Sequence, residues 1–422
     1  MKDPEKIDVA GDWAMVAAQL PKDWRSLGEE LVPTGFPAYM GTKVSDISQP
    51  LRLALYHVAA NTSLKTTTAV GAAAGIIDMS SVALHKWMRR LGPYLSTLVA
   101  RMTDAEMTFA PERWAGYDIV LVDASSVSRP GAEGTTARIH YALRLTSLRP
   151  VKIEVTDETG GETFRRFEPD LGELWMGDRG YANPPGIASV KERRADVLVR
   201  YNRGSLPLYD IHGQPLDVRQ RLLRLKRPGV PRQWFAAVHG PAGAVIQGRL
   251  CAVRLPPDKA EEARARLHRE QGSAVTQASL DAAEYVVVFT TVPRSRLSAA
   301  LVMELYSLRW QLELHIKRDK SIAGLDRLPN FRPDTIHSWL CAKLLVTQIA
   351  RKIATPAVVA IPPCAVDGRA ARRQAQAQTE PSAPKQRRRG AVAGHDPALA
   401  VHLCRAPAHR ATRRAQSAGA VS

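Results

Sequence analysis

Three acidic residues, Asp123, Asp178 and Glu313, stand where carboxylates could serve phosphodiester chemistry. Asp123 closes YDIVLVD (117–123), a nearly continuous apolar run that reads as a buried strand with a carboxylate at its carboxyl end. Ligand and catalytic groups favour that position in open α/β sheets. Asp178 ends ELWMGD (173–178) in the same manner and opens the turn DRGYANPPG. Glu313 sits in a helical pattern over 298–320. At about 100° per residue, Tyr306, Arg309, Glu313 and Lys320 fall within an arc of roughly 60° on one face. Leu305, Leu308, Leu312 and Ile316 form the adjoining apolar face. Two strand-end aspartates and a helical glutamate make the hard-oxygen set that Mg²⁺ or Mn²⁺ prefers. Two such ions about 3.5–4 Å apart activate a water or 3′-OH and stabilise the departing oxygen of an in-line displacement. Arg309 and Lys320 suit phosphate contacts, and Tyr306 suits a phosphate hydrogen bond or a stacked base. Each residue also has a plainer reading, the aspartates as turn formers and Arg309–Glu313 as a surface i,i+4 ion pair.

These residues require a sheet and a helix to hold them, and the pattern along the chain supplies both. Residues 1–110 read as a helical region, with apolar residues at three- and four-residue spacing over Gln49–Val58 and Ser80–Met102. Residues 111–202 hold short strand-like runs, YDIVLVD, RIHYALRL (138–145), VKIEVTD (151–157), ELWMGD and DVLVRYN (196–202). Residues 203–295 form a β-rich segment with RQWFAAVHG, VIQGRLCAVRL and EYVVVFTTV, interrupted by the charged helical stretch DKAEEARARLHRE. Residues 296–356 return to helix. From Ala357 to Ser422 the chain has no Phe, Trp or Tyr and carries eleven Lys+Arg against three Asp+Glu. Such a segment buries too little apolar surface to fold alone. Two origins are open for it, a basic DNA-binding arm or the wrong-frame product of a GC-rich gene. The fold class expected is α/β.

The whole chain of 422 residues has 59 Lys+Arg and 41 Asp+Glu, a net charge of +18 that attracts a polyanion, most commonly nucleic acid. No apolar run is long enough for a membrane span, and the charged first residues lack an apolar h-region, so a cytoplasmic, nucleoid-associated protein is expected. Cys251, Cys341, Cys364 and Cys404 lack the grouping of a disulfide framework or zinc knuckle. No phosphate-binding loop of the G-x-x-x-x-G-K-[ST] kind occurs, so a nucleotide cofactor is not expected.

Within 67–92, TTAVGAAAGIIDMSSVALHKWMRRLG reads either as a helix-turn-helix, with Lys86, Arg89 and Arg90 available to phosphates, or as an ordinary helix pair. Arg200 stands at a further strand end where it could face DNA. His140 in RIHYALRL reads as a structural histidine before a site residue. Trp175, Trp234 and Trp310 read as core aromatics.

The segment YSLRWQLELHIKRDK (306–320) fits Y-x2-R-x3-E-x6-K without departure. With VLVDASSVSRPGAEGTTARIHYALRL and ELWMGDRGYANPPGI around the aspartates, the sequence resembles the bacterial insertion-sequence transposases of family four, DDE enzymes with a Tyr-Arg-Glu-Lys signature. The resemblance covers about residues 20–354. It implies an RNase H-like catalytic core with a β insertion between Asp178 and Glu313, and Asp123, Asp178 and Glu313 as ligands of two Mg²⁺ or Mn²⁺ ions. Tyr306, Arg309 and Lys320 would grip double-stranded DNA near the scissile end, in a homo-oligomer on paired transposon ends. Two rivals stay open: an RNase H-like nuclease without strand transfer, and a non-catalytic DNA-binding remnant of a mobile element.

Overall fold

Alternation along β1 (Asp118–Val127) sets the architecture, because successive side chains leave opposite faces of a strand. Ile119 and Leu121 enter one apolar core and Val120 and Val122 the other, all fully buried. A strand buried on both faces must lie inside a sheet covered by helices. The computed structural model describes residues 9–32, 44–102, 112–326, 328–329 and 332–358, and β1 lies near the middle of its eight-stranded sheet.

β2 (Ala137–Arg144) and β3 (Pro150–Asp157) follow as an antiparallel meander. β4 (Glu173–Gly177) and β5 (Asp196–Arg200) lie on the other side of β1, parallel to it. β6 (Arg232–His239), β7 (Val245–Arg254) and β8 (Tyr285–Thr290) complete the order β3-β2-β1-β4-β5-β8-β7-β6. The β-rich segment therefore continues the same sheet, since β8 pairs antiparallel with β5 through Leu198–Thr290 and Arg200–Val288.

Helices α1 (Val9–Ala17), α2 (Trp24–Leu31), α3 (Ser48–Ala60), α4 (Leu64–Ala73), α5 (Ser81–Arg90) and α6 (Gly92–Arg101) precede the sheet. Ser63 and Ser80 cap α4 and α5 by accepting from the Thr66 and Ala83 amides, which satisfies donors left open at a helix start. α7 (Pro184–Glu192) crosses from β4 to β5, and α8 (Val218–Leu223), α9 (Pro257–Gln271) and α10 (Gln277–Ala283) decorate the β-rich segment. α11 (Ala299–Ser307), α12 (Trp310–Ala323) and α13 (Pro333–Val358) end the described chain. α13 packs on α3, α5, α6 and β3, so one late helix joins the N-terminal helices to the sheet. It approaches α6 closely at Gly92, where a Cβ would lie 2.8 Å from Ser338 Oγ.

At the end of the sheet where β1 and β4 begin, Arg144 is 1% exposed and pairs with Asp118 and, at 3.8 Å, with Glu173. Glu173 also accepts from the Asp170 amide and Trp175 Nε1, both at 2.8 Å. This charged cluster ties β2 to β1 and β4 from within the core. Cys251 and Cys341 are buried free thiols. No helix among the described residues is long and apolar enough to cross a membrane. The expected basic tail, with Cys364 and Cys404, lies outside the described residues from 359 onward.

Candidate active site

Asp123 continues the odd-numbered series of β1 that faces α12, which packs on this strand. It lies inside β1 rather than at its end. Ala124–Val127, which look like a loop in sequence, pair antiparallel with Ala137–His140. The parallel pairing to β4 does stop at Leu121–Met176, so Asp123 stands just past it. Asp178 follows β4 directly, and its Oδ1 accepts from the Gly180 amide at 2.8 Å in the DRGY turn.

The expected single helix over 298–320 is two. Between α11 and α12 the amides of Leu308, Arg309, Gln311 and Leu312 bond three residues back, to Leu305, Tyr306, Leu308 and Arg309. This tighter winding advances each residue further around the axis than an α-helix does, so Tyr306 does not share one straight stripe with Glu313 and Lys320. The apolar face is as expected, with Leu305, Leu312 and Ile316 buried and Leu308 packed against them.

Arg309 occupies the turn and reaches both acids. Its Nη1 lies 3.6 Å from Asp123 Oδ2 and its Nη2 bonds Glu313 Oε1, with all three side chains between 15% and 17% exposed. Burial lowers the Arg309 pKa, but Tyr306, Asp123 and Glu313 outweigh it and the net shift is upward. Lys320 donates to the Ser126 carbonyl at 3.2 Å and so fastens α12 to the β1 hairpin. Burial holds its pKa down, against Asp326 and Asp123. Tyr306 is 6% exposed, and burial raises its phenol pKa beside Arg309, Arg200 and Asp178. Its ring is therefore a buried support rather than a free stacking platform. His140 is fully buried, bonds Thr156 Oγ1 at 3.1 Å and is pushed down to about 4 by burial, then by Arg166 and Arg138. It is the structural histidine expected.

Asp123, Asp178, Glu313, Tyr306, Arg309, Lys320 and Arg200 thus gather in one region. Lys86, Arg89 and Arg90 lie apart on α5, exposed, within the helical layer. Two residues belong to the region without having stood out in sequence. Arg179, the residue after Asp178, is influenced by Arg200, Tyr306 and Asp178, and burial lowers its pKa. With Arg200 and Arg203 it lines a cavity of 680 Å³ whose other walls come from α8, α10 and β8, and none of the three acids lines it. Glu162, in the β3–β4 loop, is the second. Burial raises its pKa, and the Asp178 charge raises it further.

Asp123 is pushed up to about 7, first by burial and then by Asp178, with Arg309 opposing. A carboxyl that holds its proton more tightly folded than unfolded loses stability as pH rises from its ordinary 3.8 toward about 7. The metal-free melting temperature should accordingly fall across that window. Asp123→Asn should flatten the decline, and wild-type steepness in that variant would remove Asp123 as its source. Whether the acids suit a divalent ion is decided by their chemistry. Among the described residues no three His, Cys, Asp or Glu side chains stand close enough to hold one as placed. The donors are nevertheless hard, partly buried and mutually repelling, which is the condition a cation relieves.

Residues 114–349 match the family described as Transposase DDE domain. The chain is 30% identical over 358 residues to the transposase for insertion sequence element IS421 of Escherichia coli, which covers 82% of this chain and 95% of that protein. It is likewise 30% identical over 357 residues to the InsL protein of insertion sequence element IS186A of Escherichia coli (strain K12), with the same coverage.

Proposed function

The chain belongs to the DDE transposases, and from that premise we propose that it cuts DNA at the inverted-repeat ends of an insertion sequence and joins the freed 3′ ends to target DNA, with Asp123, Asp178 and Glu313 as its metal-binding acids. The observation that supports the assignment of residues is the direct link of Arg309 to both Asp123 and Glu313, with Asp123 also in the field of the Asp178 charge. An RNase H-like core is supported by the order β3-β2-β1-β4-β5, an antiparallel meander followed by two strands parallel to β1. Membership of insertion-sequence family four is supported by the spacing of Tyr306, Arg309, Glu313 and Lys320.

When bound, one or two Mg²⁺ or Mn²⁺ ions would supply activation of a water or 3′-OH and charge stabilisation at the departing oxygen. The protein's own groups do the rest. Arg309 screens Asp123 from Glu313 and ties the start of α12, which carries Glu313, to Asp123 on β1. Lys320 holds α12 in register with β1. Arg179, Arg200 and Arg203 give the cavity beside the acids a positive wall for the DNA backbone. Recognition of the transposon ends is assigned to α4 and α5, with Lys86, Arg89 and Arg90 on phosphates. Paired ends imply a homo-oligomer.

The test is incubation of the full chain with Mg²⁺ or Mn²⁺ and linear DNA bearing the repeats that flank its gene. Cleaved ends covalently joined to target DNA are expected. Cleavage without joined product would make it a nuclease without strand transfer, and binding with neither product would make it a non-catalytic remnant.

A further inference from the structure

We propose that Glu162 is a further oxygen donor, directly or through one water, to the divalent cation held by Asp123 and Asp178. This rests on the metal-site reading above.

The placement of Glu162 is built rather than incidental. Arg138 donates to the Gly160 carbonyl at 2.6 Å and Arg166 to the Gly161 carbonyl at 2.8 Å, which pins the backbone just before it. Just after it, Phe164 is fully buried with its ring 5.2 Å from that of Tyr181. The side chain then enters the DRGY turn. A Cβ on Gly180 would lie 1.8 Å from Glu162 Oε2 and 3.2 Å from Asp178 Oδ1, so the two carboxylates flank the place a side chain at position 180 would take.

Two further observations turn this juxtaposition toward a ligand. Tyr181 is fully buried and its hydroxyl has no hydrogen-bond partner among the described residues, although it lies in the field of Asp123, Asp178 and Glu162 together. A buried hydroxyl left idle within the influence of three carboxylates is costly and leaves an unmet polar group beside them. The compensation of charge is also one-sided. Glu313 and Asp123 share Arg309, whereas no described cation comes within 4.0 Å of Asp178 or Glu162. The Arg138 charge influences Glu162 only from beyond that distance. Two partly buried carboxylates without a counter-ion, beside an orphaned hydroxyl, suit a hard divalent cation better than any neutral group.

The experiment titrates Mn²⁺ into the DNA-free full chain and reads free Mn²⁺ by electron paramagnetic resonance, alongside melting with and without the metal. Glu162→Gln should weaken Mn²⁺ binding roughly ten- to hundredfold, and Asp178→Asn at least as much. Without metal, Glu162→Gln should melt no lower than wild type, because an amide replaces an uncompensated charge, but it should lose most of the Mn²⁺-induced rise. Glu162→Asp keeps the charge and shortens the reach, so it should fold normally and still bind weakly. Wild-type affinity in either Glu162 variant, with Asp178→Asn defective, would overturn the role of Glu162 and leave the metal site standing. Wild-type affinity in Asp178→Asn as well would bring down the metal-site reading itself. A Glu162→Gln chain that melts lower without metal yet binds Mn²⁺ normally would mean a purely structural residue.

Discussion

Asp178→Asn is expected to bind DNA carrying the element's ends as tightly as the wild type and to cut it about 10³-fold more slowly or worse. The amide keeps the size of the side chain and can still accept from the Gly180 amide, so the DRGY turn survives. What it loses is the charge, and among the described residues no arginine or lysine within 4.0 Å depends on that charge for its position. DNA affinity should not fall, since removing a negative group beside the positively lined cavity only favours a polyanion. Asp123→Asn and Glu313→Gln should show the same split, with one difference. Either frees one hand of Arg309, so a small gain in DNA affinity is expected in these two. Single-turnover cleavage with Mg²⁺, set beside a binding isotherm at fixed salt, reads both quantities. Wild-type cleavage by Asp178→Asn would end its assignment as a catalytic acid.

Arg144→Ala should have the largest effect on stability, about 3–5 kcal/mol. Arg144 is fully enclosed where β2, β1 and β4 meet, and it is the partner of both Asp118 and Glu173. Removing it strands two buried carboxylates and leaves the volume of a long side chain empty. Glu173 already has its pKa raised by burial, with the Asp170 amide, Trp175 and Arg144 offsetting part of the shift. Denaturant unfolding should show the midpoint falling with little change in slope. The loss should shrink as pH falls through the raised Glu173 pKa, above the ordinary carboxylate range, because the stranded acid there takes up a proton. A midpoint unchanged within error would mean that the cluster is not a determinant of the sheet.

The strands were legible because each is a short apolar run between turn residues, and all the strand-like runs read from sequence occur near their expected places. What local pattern could not convey was partnership. Ala124, Ser125 and Ser126 carry no strand signal of their own, and they are strand because β2 lies alongside. Continuation of the sheet through β8 likewise depends on pairing between residues such as Leu198 and Thr290, far apart in the chain. The break between α11 and α12 was hidden by an unbroken apolar period through Leu305, Leu308, Leu312 and Ile316, since the turn leaves that face intact. Glu162 was the most concealed, in a Gly-Gly-Glu-Thr loop without periodicity, and only the anchoring of Phe164 beneath Tyr181 gives it a direction. The pair of glycines before it and Gly180 across from it were the sequence's faint sign of a crowded place.

The position of α13 sets a timetable for synthesis. Helices α3, α5 and α6 pack on a partner that begins only at Pro333. At about 5–20 residues per second, translation from the end of α6 to that helix takes on the order of ten to fifty seconds. Through that interval the N-terminal helices, which carry the basic face of α5, wait beside the ribosome with their apolar side uncovered. A message cut short anywhere before Pro333 therefore yields a product whose helices α3, α5 and α6 never acquire that partner, and which chaperones and proteases meet as unfinished protein.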